Sequence, residues 1–198
     1  MYVGDEHGVQ RRFQEKVGEI KTPSFAFADS KCGVPRTSDI PNFIIMKEPG
    51  DAIVVGEIKF PWVTHHHIAR TVAVAGTRPK EGELRNLLGK SPRARSIYSF
   101  TYTALGQIAN YMDVMNLKYG VLTTYEQTLF LRQTTLESSL VKHFSDTYTS
   151  ADPQSVTVRQ CFWYIGQLAL KGARFNGSSH TQGQIMLWTN EGSVPTYR

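Results

Sequence analysis

Residues 39–62, DIPNFIIMKEPGDAIVVGEIKFPW, decide how the rest of the chain is read. Two short apolar runs, Phe43–Met46 and Ala52–Phe60, flank Pro49-Gly50-Asp51, and strand signals on either side of such a turn predict a hairpin. The second strand ends in a way that an ordinary buried strand avoids. Glu57 and Lys59 follow the Ala-Ile-Val-Val run two residues apart, so a period of two puts both on one face with Val55 and turns Ile58 to the other. Burying a carboxylate and an ammonium costs free energy even when they pair, so the two point to chemistry. A carboxylate that holds a divalent cation, beside a lysine that assists an attacking water and steadies charge on a phosphate, is what metal-assisted phosphodiester hydrolysis uses.

Downstream, Ser96–Asn116 reads as the best helix in the middle of the chain, with Leu105, Ile108, Ala109 and Met112 as its apolar stripe. Gln107 and Tyr111 lie four residues apart on one of its faces. Pro41-Asn42, the hairpin and Glu57-Ile58-Lys59, followed by Gln107-Ile-Ala-Asn-Tyr111, together resemble the PD-(D/E)XK nuclease superfamily, with its restriction-endonuclease-like fold. The Q-x-x-x-Y helix is similar to that of the RecB and lambda-exonuclease branch. The resemblance covers about residues 24–133, and Gly56–Trp62 with Tyr119–Glu126 also look like nuclease-like modules of fungal genomes. It implies Mg2+- or Mn2+-dependent cleavage of nucleic acid, DNA favoured, although no residue by itself selects DNA over RNA. Glu57, with the Ile58 carbonyl, would hold the metal; Lys59 would assist the water; Gln107 and Tyr111 would support the site or contact DNA.

One position departs from the family pattern. Asn42 stands where the first metal-binding aspartate is expected, and a neutral amide offers an oxygen without its charge. Three readings stay open: a degenerate binding module, an engineered inactivating substitution, or a site completed by another acid. Asp39 lies three residues along a strand, on the opposite face. Residues 9–20 predict a short amphipathic helix carrying Glu15 and Glu19, and the resemblance makes Glu19 the candidate further acid. The rival function is a non-catalytic nucleic-acid binder or effector-like partner-binding module on the same scaffold. A third reading makes Glu57 and Lys59 a plain edge ion pair, exposed and far from Gln107.

Composition fits one domain spanning residues 1–198: 40% of the residues are hydrophobic and 20% charged. Cys32 and Cys161 form neither a metal-ligand spacing nor a disulfide framework, and the first residues contain no apolar run. With no stretch long enough to span a bilayer, the expectation is an intracellular chain in cytoplasm or nucleus, without a membrane partner. The net charge of +5 equals the balance of one segment, where Arg70, Arg78, Lys80, Arg85, Lys90, Arg93 and Arg95 face two acids, Glu81 and Glu83. Such a basic stretch would neutralise a nucleic-acid backbone, or simply form a solvated loop. His65-His66-His67 cannot converge on one metal and reads as a polar loop, and 68–76 fits strand or helical turn.

The remaining elements read as a strand at Ser24–Ala28, a helix at Glu81–Gly89 and a basic turn at Ser91–Arg95. Strands follow at Tyr119–Tyr125 and Thr128–Gln133, with Lys118 and Arg132 placed to reach phosphate. Leu136–Phe144 fits strand or helical turn, 145–155 is a polar loop, and Val156–Phe175 is a core helix ending near Gly172. Phe162, Trp163 and Tyr164 read as packing before base stacking, and Ile185–Trp188 as an edge strand. The order predicts an α/β fold, a mixed central sheet flanked by helices with a restriction-endonuclease-like core.

Overall fold

The architecture comes from a computed structural model that describes residues 11, 15, 22–28, 40–59, 92–124, 126–136, 139–145, 148–149, 157–175 and 187–190. Of these, 92–102, 135–136, 139–144, 148–149 and 187–190 are described by backbone alone. In chain order the elements are β1 (Ala26–Ala28), β2 (Phe43–Glu48), β3 (Asp51–Ile58), α1 (Pro92–Val114), β4 (Tyr119–Thr123), β5 (Gln127–Leu136), β6 (Ser139–Phe144), β7 (Tyr148–Thr149), α2 (Val158–Gly172) and β8 (Leu187–Asn190).

The strands form one eight-stranded sheet in the order β1-β2-β3-β4-β5-β6-β8, with β7 pairing β5. Neighbours run antiparallel except for β3 with β4 and β6 with β8, which are parallel. Parallel neighbours need a long crossover, and the one from β3 to β4 contains α1. This is the expected α/β fold, a mixed sheet with a helix packed on each face. Its hairpin, crossover helix and returning parallel strand are consistent with a restriction-endonuclease-like core.

The unbroken apolar runs of β2 and β3 suit strands buried on both sides. On one face Ile44, Val55 and Leu122 pack under Leu105, Ile108 and Met112 of α1. On the other, Phe25, Phe43, Ile58 and Val121 pack under Phe162, Ile165 and Ala169 of α2. Val55 and Ile58 thus face opposite sides, as a period of two requires. Two of the glycines lie against aromatic rings. A Cβ on Gly56 would enter the Phe43 ring, and one on Gly166 would enter the Phe25 ring. The hairpin turns at Gly50, whose φ of 84° favours glycine.

Both helices are finished by recognisable caps. Thr157 starts α2 with a capping box: its side chain accepts from Gln160 N, while the Gln160 side chain accepts from Thr157 N. After α1, Asn116 takes a left-handed conformation, φ 54°. Leu117 N donates to Met112 O (2.7 Å) and Asn116 N to Asp113 O (3.1 Å), the paired bonds of a Schellman motif that buries Leu117.

Several boundaries differ from the sequence reading. Ser91–Arg95 is not a turn from Pro92 onward: α1 begins there, because proline suits the first helical position, where its missing N–H has no partner to lose. Leu136–Phe144 resolves into β6, and the 145–155 loop carries the two residues of β7. The tail supplies an edge strand, β8, shifted to Leu187–Asn190. Arg11 and Glu15 are helical and joined by an exposed ion pair of 3.0 Å. The rest of the 9–20 helix, Glu19, Cys32, Asp39, Trp62, the His65–His67 run, 68–76 and the Glu81–Gly89 helix lie outside the described residues.

Candidate functional site

β3 carries Glu57 to the end of a central strand, between β2 and β4, with Lys59 just beyond it. Glu57 pairs with Leu122 of β4, and Lys59, one residue past the strand, still donates its backbone N–H to Thr123 O (2.8 Å). Both therefore sit at the carboxyl ends of the two parallel strands, the edge of an α/β sheet where ligands commonly bind. Their side chains are 6% and 19% exposed.

Alternation turns this pair toward the α1 face, and α1 supplies the third member. Lys59 Nζ donates to Glu57 Oε1 (2.7 Å) and to Gln107 Oε1 (2.8 Å). Glu57 Oε2 is buried and accepts no hydrogen bond from the described residues. Burial, central position and the contact with Gln107 all contradict the reading of Glu57 and Lys59 as an exposed edge pair.

Asn42 has a structural role that its identity does not advertise. Its backbone N donates to Gly56 O (3.1 Å), and its side-chain Oδ1 accepts from Ile58 N (2.7 Å). The residue therefore clamps β3 on both sides of Glu57. The expected ligand oxygen is already an acceptor for the backbone, which leaves the amide's NH2 as its other polar end. Upstream, Tyr111 is buried in the α1 core and its hydroxyl donates to Ile40 O in a long bond of 3.4 Å, holding the approach to Pro41-Asn42. Gln107 touches Lys59, whereas Tyr111 acts one step further out.

Other expected residues fall elsewhere. Lys118 and Arg132 lie at the opposite end of the β3–β4 parallel pair from Glu57, with Lys118 Nζ 5.8 Å from the Tyr119 ring centre. Arg93 and Arg95 belong to the first turn of α1, described by backbone alone, while Arg70, Arg78, Lys80, Arg85 and Lys90 lie outside the described residues. Among the described residues, no group of three or more His, Cys, Asp and Glu is placed to hold a metal ion. Sequence reasoning missed the Ile40 and Thr123 carbonyls, because a backbone acceptor leaves no mark in residue type. It also missed the buried hydroxyl pair Thr123 and Thr128 (2.9 Å) at the same end of the sheet.

The chain matches no protein-family model and no curated protein sequence. Among solved structures it is similar to the type IIG restriction endonuclease BpuSI at 10% identity and a TM-score of 0.35, over 87% of this chain. The aligned part is 17% of that protein's chain, so the chain spans about a sixth of its length. The fold assignment rests on the strand order and register above. No helix among the described residues is long and apolar enough to cross a membrane.

Proposed function

We propose that residues 1–198 form a single nuclease-like domain of the PD-(D/E)XK kind, which binds nucleic acid and carries a phosphodiester-hydrolysis site whose turnover Asn42 suppresses. The supporting observation is the double bond of Lys59 Nζ, to Glu57 Oε1 at 2.7 Å and Gln107 Oε1 at 2.8 Å, on a buried strand end. Hydrophobic residues there would stabilise the sheet equally well or better, so the polar trio calls for a functional reason. An ammonium has three N–H groups. Two go to Glu57 and Gln107, and the third would meet the attacking water or a phosphate oxygen. Gln107 orients Lys59, and Tyr111 positions the segment that carries Asn42.

The donor set is all oxygen, which fits a hard divalent cation such as Mg2+ or Mn2+ in kind. Glu57 would hold it with the neutral oxygens of Ile58 and Asn42, and Glu19 is the proposed further acid. The cation would supply charge stabilisation at the phosphate and a more acidic water. Asn42 lowers the charge of this set. An aspartate there would keep the Ile58 N–H bond with one oxygen and offer a second anionic oxygen beside Glu57. The single side-chain oxygen of asparagine would instead have to serve both the Ile58 N–H and the cation.

That same clamp favours a second reading, a domain that binds nucleic acid without cutting it. Mn2+ titration followed by electron paramagnetic resonance separates the two. The nuclease reading expects weak binding to the unmodified chain, tightened about tenfold or more by Asn42→Asp and lost in Asn42→Asp/Glu57→Ala. Equal binding by all three would leave only the non-cleaving reading.

A further inference from the structure

We propose that a cleft between β5 and α2 is a second nucleic-acid contact, which seats an unstacked base of a single strand together with its phosphate. It lies on the α2 face of the sheet, opposite Lys59 and Gln107, and does not depend on hydrolysis at Glu57. The cavity measures about 770 Å³, within the roughly 300–1,000 Å³ of small-ligand clefts. Four aromatic residues line it: Tyr119, Phe130, Trp163 and Tyr164.

Two of these aromatics are large apolar side chains that α2 leaves exposed. The helix turns Phe162, Ile165 and Ala169 into the core, yet Trp163 and Tyr164 remain 48% and 59% exposed at the cleft. Phe130 forms the inner wall, fixed edge-on against Phe162 with ring centres 5.3 Å apart. Among the described residues that line it, the charge has one sign. Arg132, directly across the strands from Tyr119, lines it, and Lys118 Nζ stands 5.8 Å from the Tyr119 ring centre. No acidic residue is among the described residues that line it. Aromatic faces beside cations suit a base stacked on a ring with its phosphate on the guanidinium, since stacking tolerates any base and the backbone always carries charge.

Fluorescence anisotropy of a labelled oligothymidylate, with the full chain in EDTA so that nothing is cut, tests this separately from cleavage. Trp163→Ala and Tyr164→Ala are each expected to weaken binding about tenfold, the size of one lost stacking contact. Trp163→Phe keeps a ring and is expected to retain most of the affinity. Arg132→Gln should reduce the slope of affinity against salt by about one. An abasic strand of equal length should bind the unmodified chain as weakly as the oligothymidylate binds Trp163→Ala. The proposal is overturned if the alanine variants, folded by thermal melting, stay within about twofold of the unmodified chain, or if the abasic strand binds equally well. It is also overturned if Trp163→Ala changes only the oligomeric state, which would make the cleft a protein interface.

Discussion

Lys59 is the residue on which the site depends, because it is held by two oxygens from different elements, Glu57 of β3 and Gln107 of α1. Removing one partner of a buried pair leaves the other charge unsolvated. Lys59→Met is therefore expected to destabilise the fold by about 2–3 kcal/mol, discounted because the lysine is partly exposed. Glu57→Gln/Lys59→Met should cost clearly less, and urea unfolding of the two variants and the unmodified chain measures the difference. Asn42 gives a complementary test. Asn42→Ala strands the Ile58 N–H and should cost about 1–3 kcal/mol, whereas Asn42→Asp keeps the acceptor and escapes that loss. The Glu57-x-Lys59 spacing was legible in the sequence, as were Gln107 and Tyr111 at one helical turn's separation. The clamp was not, since Asn42 and Ile58 are sixteen residues apart and their meeting depends on a hairpin register that shifts near Met46.

Elements were legible where periodicity was strong and obscure where a special position decided them. The hairpin and the α1 stripe of Leu105, Ile108, Ala109 and Met112 follow from apolar pattern alone, and all four stripe residues are buried. The α1 start is obscure in sequence because Pro92 resembles a turn residue as much as a first helical residue. In sequence Trp163 and Tyr164 read as packing alongside Phe162, yet helical geometry sends consecutive side chains in different directions and, of the three, only Phe162 reaches the core. The α1 stop rests on Asn116 in its left-handed conformation. Asn116→Ala should cost about 1 kcal/mol, and Asn116→Gly should cost none, as read by thermal unfolding. Gly56→Ala tests the packing between β3 and β2. Overpacking against Phe43 should cost about 1–3 kcal/mol, and Phe43→Leu should recover part of it by opening room for the new methyl.

Across the whole molecule, the sheet separates two kinds of surface. One face, under α1, carries the buried Glu57 with the part-buried Lys59 and Gln107; the other, under α2, carries the aromatic cleft. The mixed α/β class could be inferred from element order, but not the assignment of each group to a face, which depends on the parallel pairing of β3 with β4. Arg174, past the end of α2, donates to Met115 O (3.0 Å) after α1 and to Asp51 Oδ1 (2.7 Å) in the hairpin. Asn42→Asp would set a second carboxylate near Glu57, and like charges brought together weaken the fold unless a cation joins them. Its melting temperature is therefore expected to fall below that of the unmodified chain in EDTA and to rise with added Mg2+. The unmodified chain should respond to Mg2+ much less.

The decisive experiment is a cleavage assay on linear DNA and on RNA, with Mg2+ or Mn2+, using the unmodified chain, Asn42→Asp and Asn42→Asp/Glu57→Ala. Cutting by Asn42→Asp alone, dependent on the cation, is the expected result and would establish a nuclease site suppressed by one amide. Should Asn42→Asp stay inert while it folds and binds Mn2+, the hydrolytic assignment of Glu57 and Lys59 would be contradicted.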